Sequence, residues 1–555
     1  MAITRIIRAG AGGVNKDISP VELPVGDAAE FTWSNAENMR FLDGYAAQFY
    51  GYGAVYESPS ITPYFLLPLV IETTPYWVYA GAASIYGVAL TGAGVTHTEL
   101  SPTPLVMLDD LVMDDDLVMA SSYTGSPNSW TGGVLGGIPI LNNGTDDPQQ
   151  WSTDITSDFE DLSNWPAATT CKSMRVYKQF LVAMNVTVSG TNYPYMVKWS
   201  HPAVPGAVPT SWDHTDETVD AGQTDLAEGS GIIIDGLPLR DSFIIYREGS
   251  IWIMNYIGGP FVFSFKKMLG TSGIMNRNCV VEFDGYHFVL TDNDMLVHDG
   301  NTAVPILDKQ VRRDVFRDID SDARNVCFVM KNPFFNEIWV GYPSVGKTSC
   351  DKAVVWNYRD KTVSLKALPD IYHGAYGQVD EATTDPWSDD TETWAEDTTR
   401  WNEAANVPGN IRSLMASAND ELYMLDAGGE DTDSSSSFPY ILPFTLGGST
   451  GFSSYLERAG LIFGAAERRT LIKGIRPRIT GTEGSTIRIS VGGTDDNAYA
   501  TPTYDSTVEY VIGTDLRADM LVDRRYMAIK LENDASAYEW QLDSFDIEWE
   551  DGGIW

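Results

Sequence analysis

Apolar residues along this chain fall into short runs separated by turn-forming residues, and the spacing of long amphipathic helices is almost absent. Residues 76–81, 179–185, 243–254, 280–291, 336–342, 353–358 and 420–426 each carry such a run and are expected to form strands. The turns between them are legible. Phe283-Asp-Gly-Tyr286 and His298-Asp-Gly-Asn301 place Asp-Gly between apolar flanks, the pair that accepts the positive φ of a tight hairpin turn. Arg247-Glu-Gly-Ser250 and the polar stretch 357–362 are further hairpin loops.

Hairpins repeated over several hundred residues predict an all-β chain built as a β-propeller of about six blades, because radial repetition protects sheet edges. Irregular spacing between hairpins fits a sandwich array or a β-helix less well, and neither a WD nor a kelch signature is present. A boundary falls within residues 430–440, at the Ser-rich stretch 430–439, which has linker composition. Beyond it, residues 475–479, 486–491, 508–512, 526–531 and 545–549 alternate polar and apolar positions, the pattern of half-buried strands in a small β-sandwich. The expected organisation is an N-terminal arm and platform segment (1–50), a propeller with loop insertions (51–435), and a C-terminal β-sandwich (436–555).

Composition narrows the picture. With 43% hydrophobic residues in 555, the chain buries a large core and is not disordered. Its 76 acids outnumber 37 bases, a net charge of −39, so charge attraction to DNA or to anionic membranes is excluded as a binding mode. The excess serves solubility, or it makes a surface that repels DNA, as a passage needs. Cys171, Cys279, Cys327 and Cys350 form no CxxC pair and are expected as buried thiols. The N-terminus lacks an apolar segment of signal-peptide length, and the run 64–71 is too short to span a bilayer, so no membrane anchor is expected.

Several motifs invite a chemical reading and lack the context for it. Gly341-Tyr-Pro-Ser-Val-Gly-Lys347-Thr348 has Walker A spacing, but a β-rich run follows where a phosphate cradle needs a helix, and Pro343 removes an amide. A hairpin loop is expected. Ser388–Trp394 falls one residue short of an Asp-box. Asp292/Asp294 and Asp431/Asp433 lack the rest of a calcium loop and read as turn carboxylates. Leu-Val-Met occurs three times, at 105, 111 and 117, as a strand repeat or a local duplication. Six scattered histidines assemble no catalytic set, so no catalytic, cofactor-binding or metal-binding residue is assigned and no enzyme is expected. The acidic loop 380–405 carries Trp387, Trp394 and Trp401 at a spacing of seven; its Thr-rich composition disfavours a helix, leaving internal indole packing or a partner interface. Bases cluster at Lys309, Arg312, Arg313 and Arg317, and again at Arg468, Arg469, Lys473, Arg476 and Arg478; these are candidate subunit or partner contacts, or ordinary solvated surface.

An ordered series of segments resembles the nozzle proteins of podoviruses, short-tailed bacteriophages; these are also called tail hub or packaged-DNA stabilisation proteins. The series runs through residues 13–24, 38–44, 137–151, 197–202 with Trp212, 235–246, 256–263 and 297–306, and the Trp-spaced loop is similar to an insertion in such proteins. It covers most of residues 1–430 and continues more weakly from Leu456. The resemblance implies a structural, non-enzymatic homohexamer in the virion, made in the host cytoplasm. The ring would lie below the portal and the tail adaptor (head-to-tail connector), with fibres or spikes nearby, retaining genomic DNA and conducting it without reading its sequence. A rival reading is a carbohydrate-binding or glycan-cleaving propeller acting as a receptor-binding tail component, with the three tryptophans stacked on sugars. A third is a scaffold that never meets DNA.

Overall fold

The computed structural model of the chain describes residues 2–24, 31–71, 74–91, 94–102, 123–229, 231–259, 261–268, 273–307, 310–379, 411–426, 431–437, 445–450, 452–464, 468–533 and 539–554. Strands dominate. The helical elements among the described residues are one seven-residue helix, Arg312–Asp318, and two short 3-10 turns. One predicted Asp-Gly turn forms as its sequence demands: Asp284 and Gly285 take φ of 46° and 78°, the left-handed pair of a two-residue turn joining Val280–Phe283 to Tyr286–Leu290. At the other, His298 pairs with Ala303 across a four-residue loop in which only Gly300 takes a positive φ, 90°.

Five four-stranded antiparallel meanders follow one another, spanning residues 65–99, 131–161, 169–225, 233–267 and 280–305. The next two blades share a strand. Val363–Gln378 is sixteen residues long; its first half pairs with Cys350–Asn357 and its second half with Ile411–Ser417. The turnover lies at Asp370, with φ of 55°. The sixth blade is completed by Phe328–Asn332 and Glu337–Tyr342. The seventh is completed by Leu422–Leu425 and by Tyr52–Ala54, brought from the N-terminal side. The first strand of each blade lies against that of the next, and residues 371–378 return to Phe65–Ile71, so the blades close a ring. The chain is thus an all-β propeller with a smaller β-sandwich. It has seven blades where the sequence predicts about six, because one continuous strand serves two blades and another strand arrives from far away.

The sandwich draws on both ends of the chain. One sheet runs Met39–Leu42, Tyr45–Gln48, Trp540–Ile554, Arg468–Gly481, Ala518–Arg524, with Ala2–Ile6 paired to the far half of Trp540–Ile554. The other runs Asn35–Glu37, Tyr455–Leu461, Tyr526–Asn533, Thr486–Thr494, Thr503–Val511. Residues 1–50, read from the sequence as an arm and platform segment, therefore supply four sandwich strands. Their attachment is aromatic and polar. Phe31, Trp33 and Phe545 pack with ring centroids 5.0–6.0 Å apart, each such pair contributing about 0.5–1.5 kcal/mol beyond its burial. Trp33 Nε1 donates to the Ala9 carbonyl at 2.6 Å. Fully buried Arg458 donates to the carbonyls of Pro20 and Leu23 at 2.7 and 2.9 Å, and burial pushes its pKa down to about 10.

The Ser-rich stretch expected as a linker contains a strand. Asp431–Ser437 pairs with Thr445–Thr450 and touches Gly53, extending the seventh blade. The edge left by the short strand Tyr52–Ala54 has backbone groups to satisfy, and a Thr/Ser run does so without needing an apolar face.

Candidate interaction surfaces

Where sandwich meets propeller, Arg40 is the central residue. It lies in the sandwich strand Met39–Leu42, and its guanidinium reaches Glu337 of the sixth blade at 2.6 Å and Asp426, just after the seventh, at 2.8 Å. Burial works against its charge, yet Asp426 and Glu337 together raise its pKa; burial raises Glu337 in turn. Phe49 and Phe335 cover the guanidinium at 4.6 and 3.7 Å, in cation–π geometry. A cleft of about 180 Å³ opens beside it, lined in part by Tyr45, Tyr50, Glu539 and Trp540.

The two basic clusters separate. The first lies on and beside helix Arg312–Asp318, where it meets the N-terminal segment. Lys16 pairs with Asp314 at 3.1 Å, the Arg313 amide donates to the Asp17 carboxylate at 3.1 Å, and Arg312 Nε donates to the Asn293 carbonyl at 2.8 Å. Asp17, Glu22, Arg312, Arg313 and Tyr499 border a polar cleft of about 330 Å³. Lys309 lies outside the described residues. Asp292 pairs with Arg324 at 3.3 Å and Asp294 with Arg312 at 3.7 Å, so both turn carboxylates neutralise neighbouring cations.

The second cluster lies on the outward face of the larger sandwich sheet. In register, Arg476 faces Asp546, which also faces Arg5. The resulting ladder joins Arg5 and Arg478 to Asp546 at 2.8 and 3.2 Å, Arg476 and Arg517 to Glu548 at 2.7 and 3.1 Å, and Lys473 to Glu550 at 2.7 Å. The side chains of Arg5, Arg476 and Arg478 are 55%, 52% and 51% exposed, whereas Asp546 and Glu548 are 9% and 0% exposed beneath them. The acids orient the arginines, and the arginines meet solvent. Arg469, in contrast, is held by Asp495 and Asp523 at 3.2 and 3.1 Å; Arg468 is exposed at the sheet end.

Two polar constellations inside the propeller escaped sequence reasoning. On innermost strands, buried Asp235 of the fourth blade accepts from Arg175 Nη2 and Ser173 Oγ of the third, both at 2.6 Å, and from the Asn278 amide leading into the fifth at 3.2 Å. Burial opposes its charge most strongly, but Arg175 together with the hydrogen bonds from Ser173 and the Gly236 amide lowers its pKa. Between the fourth and fifth blades runs a directed chain. The Gly300 amide donates to His298 Nδ1 (3.2 Å), so His298 Nε2 donates to Tyr246 Oη (2.7 Å). Tyr246 then donates to His287 Nδ1 (2.6 Å), and His287 Nε2 donates to the Pro238 carbonyl (2.8 Å). Every partner is satisfied only when both imidazoles are neutral. Burial, reinforced by mutual repulsion, pushes His287 down to about 3, and burial pushes His298 down to about 4. Asp235 and Tyr246 both stand in the segment 235–246, which by itself gives no sign of their partners.

The Walker-like stretch is a hairpin loop between Glu337–Tyr342 and Cys350–Asn357, and Lys347 lies 3.7 Å from Asp370. The four cysteines are buried thiols. Trp387, Trp394, Trp401, the near-Asp-box and the Leu-Val-Met repeats lie outside the described residues, as do the side chains of Asp431 and Asp433.

No protein-family model matches the chain, and no curated protein does. Among solved structures it is similar to the WD40 β-propeller domain of Doa1 (8% identity, TM-score 0.38, covering 68% of this chain and 97% of that one). It is also similar to the WD40 domain of Toxoplasma gondii coronin (9%, 0.35, 70% and 88%). A third is PorZ, a surface component of the type-IX secretion system of Porphyromonas gingivalis (8%, 0.34, 75% and 44%). At such distances the propeller rests on the strand pairing and ring closure described above.

Proposed function

We propose that this chain is a structural tail-nozzle subunit of a short-tailed phage. In this reading it forms a homohexameric ring that docks on the tail adaptor, retains packaged DNA and conducts it during ejection. The observation that carries the reading is the ordered motif series together with what its residues do. Asp235, Tyr246 and His298, which bind blade to blade, stand in it, as do Gly13 and Arg40 at the junction of sandwich and propeller. A resemblance resting on residues that hold the architecture is a resemblance of architecture, and the site for function is then the assembled ring.

The charge supports the same reading. Net −39 per copy makes a wall that repels phosphates, so DNA slides without sticking. Electron microscopy of the protein mixed with its adaptor tests the proposal: closed rings capping the adaptor are expected, and a persistent monomer that leaves the adaptor bare would overturn it. A gel-shift titration with duplex DNA at low salt should show no retardation.

A further inference from the structure

We infer that the copies join head to tail, with the arginine-capped sandwich face of one seated on the outer rim of the second and third blades of the next. This rests on the ring reading above and names its contact surfaces. The sandwich face presents exposed arginine tips, each held over a carboxylate, beside apolar side chains. Ile3 stands opposite Glu548 in the ladder, Ile7 follows Arg5 by two residues, and Leu521 alternates with Asp519 and Asp523; all three apolar residues are more than half exposed. Exposed arginines interleaved with exposed Ile and Leu are the composition of an interface and not of a solvated surface.

In a chain so acidic, the complement lies on the same molecule. Residues 146–161 and 213–228 carry twelve acids and no Lys or Arg. They include the outermost strands Glu160–Asp161 and Gly222–Asp225 of neighbouring blades. None of these acids is ion-paired among the described residues, unlike the acids of the sandwich face. The segments that adjoin these stretches are joined: Trp165 packs edge-on against Trp212 at 4.7 Å, and Asn164 Nδ2 donates to the Pro209 carbonyl at 3.2 Å. Asp154, Asp213 and Asp216 each accept from the amide and hydroxyl of the Thr two residues on, which fixes their carboxylates in place. Exposed Ile155 and Val204 supply apolar contacts there.

Position decides the geometry. The sandwich meets the propeller around the sixth blade, from the fifth to the seventh, where Gln310 accepts from Lys16, Leu365 from Asn38 and Asp426 from Arg40. The acidic rim lies three blades away around the ring of seven. A face tipped with exposed arginines and a rim of unpaired acids at separate places on one subunit make a heterologous contact, the kind that closes a ring when the rotation suits.

The test is a charge swap on exposed side chains. One variant carries Asp158→Lys, Glu217→Lys and Glu228→Lys on the rim; the other carries Ile7→Glu and Leu521→Glu on the sandwich face. Assembly is read by analytical ultracentrifugation and electron microscopy, and folding by circular dichroism. Each variant alone should remain monomeric, and an equimolar mixture should regain alternating rings. Wild-type rings should also loosen as salt is raised from about 50 to about 500 mM, as screening requires. Rings formed by either variant alone as readily as by wild type, or no recovery on mixing, would overturn these contact surfaces and leave the ring reading standing. Wild type that never assembles, with or without the adaptor, would overturn both. A variant that fails to fold shifts the decision to the salt series, where rings indifferent to salt count against the inference.

Discussion

At the scale of single residues, the interior depends on polar groups with little freedom to change state. The Tyr246–histidine chain is satisfied in one protonation pattern, and a proton on His287 or His298 sets two donors against each other. His373 is likewise buried and held down to about 3. Each folded value lies below the unfolded one of about 6.5, so each histidine contributes stability that is complete above pH ~6.5 and is lost as pH falls through the folded value. Denaturation midpoints should hold steady from about pH 8 to 7 and decline towards pH 4, by up to about 1.4 kcal/mol per pH unit for each histidine. His287→Gln should flatten that decline relative to wild type; an unchanged slope would count against the protonation pattern. Arg40 is a second such residue. Arg40→Leu leaves Glu337 buried without its cation and should cost about 3–5 kcal/mol, read as a lower urea midpoint, with Glu337→Gln in the same background recovering part of the loss.

At the scale of elements, ring closure is the demanding step. The second half of Val363–Gln378 must approach Phe65–Ile71 closely, and Gly377 permits it. A Cβ there would lie 2.4 Å from Pro68 Cβ and 3.0 Å from Trp77, a ring that already donates to the Gln378 carbonyl at 3.0 Å. Neither neighbour is a flexible chain end, so Gly377→Ala should cost about 1–3 kcal/mol by overpacking. Limited proteolysis should show the damage at the seam between the seventh and first blades before other blades are cut. Uniform resistance along the chain would sink this account of closure.

At the scale of the molecule, the sandwich is built from sequence-distant halves. A fragment spanning 436–555 lacks the strands Ala2–Ile6, Asn35–Glu37, Met39–Leu42 and Tyr45–Gln48, together with Trp33, whose ring packs on Phe545. It should remain unfolded by circular dichroism. Residues 1–50 joined by a flexible linker to 450–555 should fold, because every strand of both sheets is then present. A folded 436–555 fragment would show that the N-terminal strands are accessories and not framework.

The sequence by itself determined the local layer of this protein. Strands, hairpins and the change of rhythm beyond residues 430–440 follow from period-two patterning and Asp-Gly turns, which depend only on neighbours along the chain. The hairpin at Lys347 was legible for the same reason: no helix-forming run follows it. Tertiary structure decided what depends on distant partners. Blade number turned on a strand shared across Asp370 and another borrowed from residues 52–54. The linker-like serines became a strand because an unpaired edge lay beside them. The basic residues, one class in composition, divided into Arg312, tied to Asn293 and Asp294 of the fifth blade, and Arg476 and Arg478, capping an outer face. Charge and polarity are written residue by residue, but which carboxylate lies beneath which arginine is set by register between strands over sixty residues apart.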